Sequence, residues 1–125
     1  MLRKQAQCFW SQARADYSTA LTLRDVGIYY ASVFFCQQTA EKALKAASLD
    51  RQQRAPKGHN LIQIANSLEA PLDVMNASAE LNVEFITSRN PDATDGVPAQ
   101  LFDKESADIH LSAAEVILNW VKAII

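Results

Sequence analysis

The chain has few of the residues that interrupt or cross-link a fold: three glycines, four prolines and two cysteines in 125 residues. Two cysteines do not make a disulfide framework. Cys8 and Cys36 both lie within apolar helical patterns, where we expect each to pack as a small hydrophobic side chain. The sequence contains no Cys-x-x-Cys pair, zinc spacing or glycine-rich phosphate loop. We therefore expect neither a metal site nor a cofactor.

Charge and hydropathy exclude further classes of protein. The chain has 12 basic and 14 acidic residues, and this net charge of −2 argues against wholesale binding to a phosphate backbone. No signal-peptide apolar run follows the N-terminal charges, and no stretch approaches the ~18 apolar residues that span a bilayer. We expect a cytoplasmic protein without membrane association, and the length predicts one domain over residues 1–125.

Between the glycines and prolines, apolar residues repeat with the helical period of about 3.6 residues. This period predicts four main helices at about 4–24, 28–48, 72–87 and 104–123, and one short helix at about 60–68. Asp103 is placed to cap the last helix. Residues 89–100 form the longest predicted non-helical segment. Because short connections favour antiparallel neighbours, the predicted fold is all-α, an up-and-down antiparallel helical bundle.

The second predicted helix carries polar groups that an ordinary core helix does not need. Tyr30, Phe34, Gln37, Glu41 and Lys45 are three or four residues apart, so they share one helical face. We interpret this as a surface face with three open roles. Tyr30 and Phe34 could form a homodimer interface, the polar residues could contact a ligand, or the face could simply be solvated.

Residues of this helix also match a known family, the HEPN domains, which are small helical proteins of bacteria and archaea. The matching residues are Tyr30, Ala31, Phe34, Gln37, Gln38, Ala40, Glu41, Lys42, Leu44, Lys45 and Ala46. The pattern continues in His59-Asn60-Leu61 and in Ser88-Arg89-Asn90-Pro91-Asp92, and it closes with an alanine-rich last helix. The resemblance covers roughly residues 6–124 and implies a helical bundle that dimerises.

The resemblance also implies a partner. Similar small HEPN proteins often act beside a minimal nucleotidyltransferase, in pairs of the toxin–antitoxin type. In such a pair Arg89 and Asp92, together with Gln37, Glu41, Lys45 and His59, would face the partner or its nucleotide. A structural role for Arg89 stays open, since it could instead pair with Asp92 or Glu41 and fasten its loop to the bundle.

Catalytic members of the family carry an arginine followed, four to six residues later, by a histidine near the last helices. No histidine follows Arg89 at that spacing. The resemblance therefore favours a non-catalytic binding module, with no catalytic residue assigned. Arg54 and His59 have the required spacing, but they lie in the connection after the second helix. A metal-independent ribonuclease toxin that acts on RNA stays open as the alternative, and His110 is expected to be a part-buried structural histidine.

Overall fold

The computed structural model of the protein describes residues 3–56, 58–87 and 97–125. These residues form six helices: α1 (Lys4–Asp25), α2 (Tyr29–Gln52), α3 (Leu61–Ser67), α4 (Leu72–Thr87), α5 (Pro98–Leu101) and α6 (Lys104–Ile124). The predicted all-α bundle is confirmed, and α4 has the predicted bounds. The short helix α5 is a correction, because it begins within a segment that was expected to be non-helical. It starts at Pro98, and proline is favoured in the first turn of a helix.

The central helix of the bundle is α2, which packs against α1, α3, α4 and α6. Its long buried surface includes Val33, Cys36 and Leu44, all fully buried. Alanines supply much of the core that α1 and α2 share, which lets the two helices lie close together. The buried alanines of this pair are Ala6, Ala13, Ala20, Ala40, Ala43, Ala46 and Ala47.

Side-chain contacts between α1 and α6 show that these helices run in opposite directions. Near the end of α1, Arg24 donates to Asp108 near the start of α6, at 2.6 Å. Further back along α1, the Tyr17 hydroxyl donates to Glu115, further along α6, at 3.0 Å. The connection from α1 to α2 is short and turns at Gly27, whose φ of 82° is a conformation that glycine adopts readily.

Two residues with positive φ direct the connection from α2 to α3. Gln53 ends α2 in the left-handed conformation, with φ 61°, and Gly58 has φ 81° just before His59. Asn60 caps α3 by accepting the backbone N–H of Gln63 at 3.1 Å. Asn82 of α4 accepts the N–H of Leu61 at 2.9 Å. These contacts fix the backbone on the C-terminal side of His59 and thereby position this residue beside α2.

The last helix, α6, is capped as predicted, since the Asp103 side chain accepts the N–H of Ser106 at 2.8 Å. Its buried stripe contains Ala107, Leu111, Ala114, Ile117 and Val121. His110 is buried within it, and its Nδ1–H donates to the carbonyl oxygen of Ser106. The ring also packs edge-on against Phe102, with centroids 6.4 Å apart. His110 is thus held inside the bundle, as expected for a structural histidine.

The expectation for the cysteines is confirmed for Cys36, which is fully buried, and is wrong for Cys8, which is exposed. The buried side of α1 follows Ala6, Ala13 and Ala20. At about 100° per residue, Cys8 lies roughly 200° around the helix from Ala6, on the opposite side. Across the described ranges, the structure contains no helix long and apolar enough to cross a membrane.

Candidate functional site

A polar cluster of Gln37, Glu41, Lys45 and His59 lies along α2. The expectation of a surface face is wrong for Gln37 and Glu41, whose exposed fractions are 0% and 6%. The physical reason is the central position of α2, which has other helices packed around it. Polar groups that were expected at the surface are therefore enclosed, and enclosed polar groups require partners.

The Glu41 carboxylate is the centre of this cluster. Its Oε1 lies 3.0 Å from Nδ1 of His59 and accepts from Nε2 of Gln37 at 3.3 Å. Its Oε2 accepts from the Lys45 ammonium at 3.2 Å. Lys45 lies one helical turn after Glu41, so this ion pair is local to α2. His59 comes from the connection before α3, so its contact is the tertiary one.

The surroundings of Glu41 keep its side chain ionised. Burial raises the pKa of this carboxyl group, whereas the hydrogen bonds from His59 and Lys45 lower it, with their charges adding to the same effect. The donors prevail, and the pKa of Glu41 lies below its ordinary value of 4.5. An ionised carboxylate can only accept hydrogen bonds, so Nδ1 of His59 must carry the proton that points at Glu41.

The cluster reaches the protein surface at His59. The side chain of His59 is 62% exposed, while the side chain of its partner Glu41 is 8% exposed. A buried carboxylate thus sets the tautomer of a histidine at the surface and limits how far its ring can turn. The described residues contain no group of three or more His, Cys, Asp or Glu side chains that could hold a metal ion.

Three polar residues next to this cluster were not among the predicted site residues: Asp16, Gln38 and Lys42. Asp16 is 5% exposed and lies on the buried side of α1, three residues after Ala13. The sequence contains a signal for this residue, because an acidic side chain at a core position of an apolar stripe must find a partner when it is buried. Its partner, Lys42, follows Gln38 by one helical turn on α2.

The structure places the remaining predicted residues as follows. Tyr30, near the start of α2, is 38% exposed. Phe34, one turn later, is half-buried and packs edge-on against Phe35 with ring centroids 5.3 Å apart. Arg89 and Asp92 lie outside the described residues.

Arg54 and His59 have separate surroundings, although both belong to the connection between α2 and α3. Arg54 lines a surface cleft of about 400 Å³ together with Gln52, Pro56 and Gln63. His59 instead turns to Glu41.

Comparison with known proteins identifies one family. Residues 6–124 match the model of the HEPN domain. The crystal structure of TT1696 from Thermus thermophilus is similar, with a TM-score of 0.91 and 27% identity over 98% of this chain and 100% of that chain. The structure of an archaeal HEPN homologue, ST0689, has a TM-score of 0.84 and 30% identity, covering 97% and 98% of the two chains. A HEPN domain protein from Thermotoga maritima has a TM-score of 0.72 and 25% identity, covering 92% and 94%. No curated protein matches the sequence.

Proposed function

The chain belongs to the HEPN family, and we propose that it acts as a non-catalytic binding module. In this proposal two copies form a homodimer that works beside a minimal nucleotidyltransferase, in a pair of the toxin–antitoxin type. The site that faces the partner, or the nucleotide that the partner uses, is the polar cluster with His59 at its exposed end.

The observation that carries this proposal is the anchoring of His59. A surface histidine that serves only solubility needs no fixed tautomer, yet this one is bound to a buried carboxylate at 3.0 Å. Holding Glu41 as an ion inside the bundle requires its donors to offset the loss of hydration. Such an arrangement is typical of a side chain that must present one defined surface to a partner.

Two further parts of the proposal lie away from His59. Arg89 and Asp92 follow α4 in the sequence, and we assign them to the same ligand because a guanidinium group can bind a phosphate or carboxylate through two parallel hydrogen bonds. For the homodimer, the exposed aromatic ring of Tyr30 supplies apolar contact area at the start of α2.

The test is calorimetric titration of the purified protein with ATP, which serves as the nucleotide probe. Wild type is compared with His59→Ala and Arg89→Ala, and with Arg14→Ala as a matched control at an exposed arginine of α1. Binding that is weakened about tenfold or more in the first two variants, but not in the control, supports the proposal. Equal affinity in all four proteins would contradict the assignment of the site.

One observation favours the alternative, a metal-independent ribonuclease. A histidine whose Nδ1–H is held by a carboxylate is the arrangement found in many general bases. The measurement is cleavage of a fluorescent RNA in excess EDTA by wild type, His59→Ala and Arg54→Ala. If wild type cleaves the RNA and His59→Ala does not, the ribonuclease proposal replaces the binding-module proposal. Uncut RNA in the presence of a well-folded wild type would reject the ribonuclease.

A further inference from the structure

A continuous set of polar contacts, here the polar relay, links α1 to the candidate site through Asp16, Lys42, Gln38, Gln37 and Glu41. The Lys42 ammonium lies 3.0 Å from Oδ2 of Asp16, as an ion pair without hydrogen-bond geometry, and donates to Oε1 of Gln38 at 2.8 Å. Nε2 of Gln38 donates to Oε1 of Gln37 at 2.7 Å. Gln37 then donates to Glu41, which completes the path to His59.

The chemistry of Lys42 and Glu41 sets the direction of the three hydrogen bonds that join them. Lys42 can only donate hydrogen bonds, and ionised Glu41 can only accept them. The amide oxygen of Gln38 must therefore point at Lys42, which leaves its NH₂ group to donate to Gln37. The same logic turns the NH₂ group of Gln37 toward Glu41. Reversing either amide would bring two donors or two acceptors together in a part-buried or buried place, where unpaired polar groups are disfavoured.

The far end of the relay is also held in place. Oδ1 of Asp16 accepts from Nε2 of Gln12 at 2.9 Å, and the side chain of Asp16 is 6% exposed. The Lys42 side chain is 23% exposed. Buried or part-buried ion pairs often add little to stability, because apolar side chains of similar volume do as well or better. The position of the Asp16–Lys42 pair between two core helices therefore suits a role in orienting its neighbours more than a role in stability.

We propose that Asp16, Lys42 and Gln38 are positioning residues, which act through Gln37 to fix the hydrogen bonding of Glu41 and thereby the presentation of His59. This inference rests on the proposed function for the role of His59. The effect of the relay on the hydrogen bonding of Glu41 does not depend on that role. The relay also makes α1 part of the site, although none of the residues predicted to form the site belongs to α1.

The test follows the Glu41 carboxyl carbon by NMR during a pH titration of the unliganded protein. Gln38→Leu removes one link at similar volume, and Lys42→Met removes the cation that donates to Gln38. Lys42→Arg restores a cation, and Gln5→Leu is the matched control at an exposed glutamine of α1. In Gln38→Leu and Lys42→Met we expect the pKa of Glu41 to rise by roughly half a pH unit, because Gln37 is no longer directed at it. The protection of the Gln37 side-chain NH₂ group from hydrogen exchange should fall in the same two variants.

Return of both readouts toward wild type in Lys42→Arg supports the relay. Unchanged Glu41 titration and unchanged Gln37 protection in both Gln38→Leu and Lys42→Met would overturn it. If one of these variants unfolds, the other still decides the question, because each breaks a different link. Titration with ATP in parallel separates the two proposals: a shifted Glu41 pKa with unaltered ATP affinity supports the relay and counts against the proposed ligand site.

Discussion

The imidazole of His59 is anchored to a carboxylate inside the bundle: its Nδ1 lies 3.0 Å from Oε1 of Glu41, across 18 residues of sequence. One partner of this pair is largely exposed and the other is buried. Since Glu41 also accepts hydrogen bonds from Lys45 and Gln37, a single carboxylate links polar groups inside the bundle to His59 at the protein surface. A change at Glu41 should therefore affect both the stability of the bundle and the presentation of His59.

Replacing Glu41 by alanine should destabilise the protein strongly. The change removes the acceptor for the Lys45 ammonium, whose side chain is 14% exposed, and for the buried Gln37 amide. We expect a loss of about 3 kcal/mol in the free energy of unfolding, measured by urea denaturation with circular dichroism. Glu105→Ala, at an exposed position in the first turn of α6, is the control and should lose less than about 1 kcal/mol. Similar losses in the two variants would contradict the buried role of Glu41.

The contribution of Glu41 to the free energy of unfolding should decrease as the pH falls. Its donors hold the pKa of Glu41 below 4.5 in the folded protein, so folding favours the ionised form. The resulting stabilisation is fully present above the ordinary pKa and is lost as the pH falls through the folded-state pKa. We expect the difference in unfolding free energy between wild type and Glu41→Gln to narrow on acidification below 4.5. A difference that widens on acidification would mean that folding raises the pKa of Glu41 instead of lowering it.

The helices were predictable from sequence because their signals are local. Apolar periodicity defines α4, and an N-terminal aspartate marks the start of α6 at Lys104. The predicted end of α2 near residue 48 is too early, because polar residues as far as Gln52 continue the helix and Gln53 then adopts the left-handed conformation. The sequence does not predict α5, because one turn of helix leaves almost no periodic signal.

The burial of the candidate site was not predictable in the same way. Polar residues four apart on a helix, such as Gln37 and Glu41, have the same spacing whether water or protein surrounds them. The distinction depends on tertiary partners that local patterns do not reveal, here His59 from a connection and Asp16 from another helix. The sequence thus predicts a polar face on α2, but it does not predict that protein rather than water surrounds Gln37 and Glu41.

The two thiols should differ sharply in reactivity. Burial raises the pKa of Cys36 to about 12, so its thiol is not ionised at neutral pH. The side chain is also fully buried, so a reagent cannot reach it. Cys8 is exposed on α1. Under native conditions we expect Ellman's reagent to modify Cys8 rapidly, and Cys8→Ser should abolish this reaction. Fast modification of the Cys8→Ser protein would show that the core around Cys36 opens readily.

The proposed homodimer predicts a specific effect at Tyr30. A carboxylate placed there would have to lose its hydration if the start of α2 lies in an interface, and an unpaired charge buried in this way is strongly disfavoured. Tyr30→Asp should therefore weaken self-association about tenfold or more, measured by sedimentation equilibrium. Leu72→Asp is the control, because Leu72 is 74% exposed at the start of α4 and its replacement introduces the same charge at an apolar surface position. Loss of the dimer in Leu72→Asp alone would move the interface to α4, whereas a monomeric wild type would reject the homodimer.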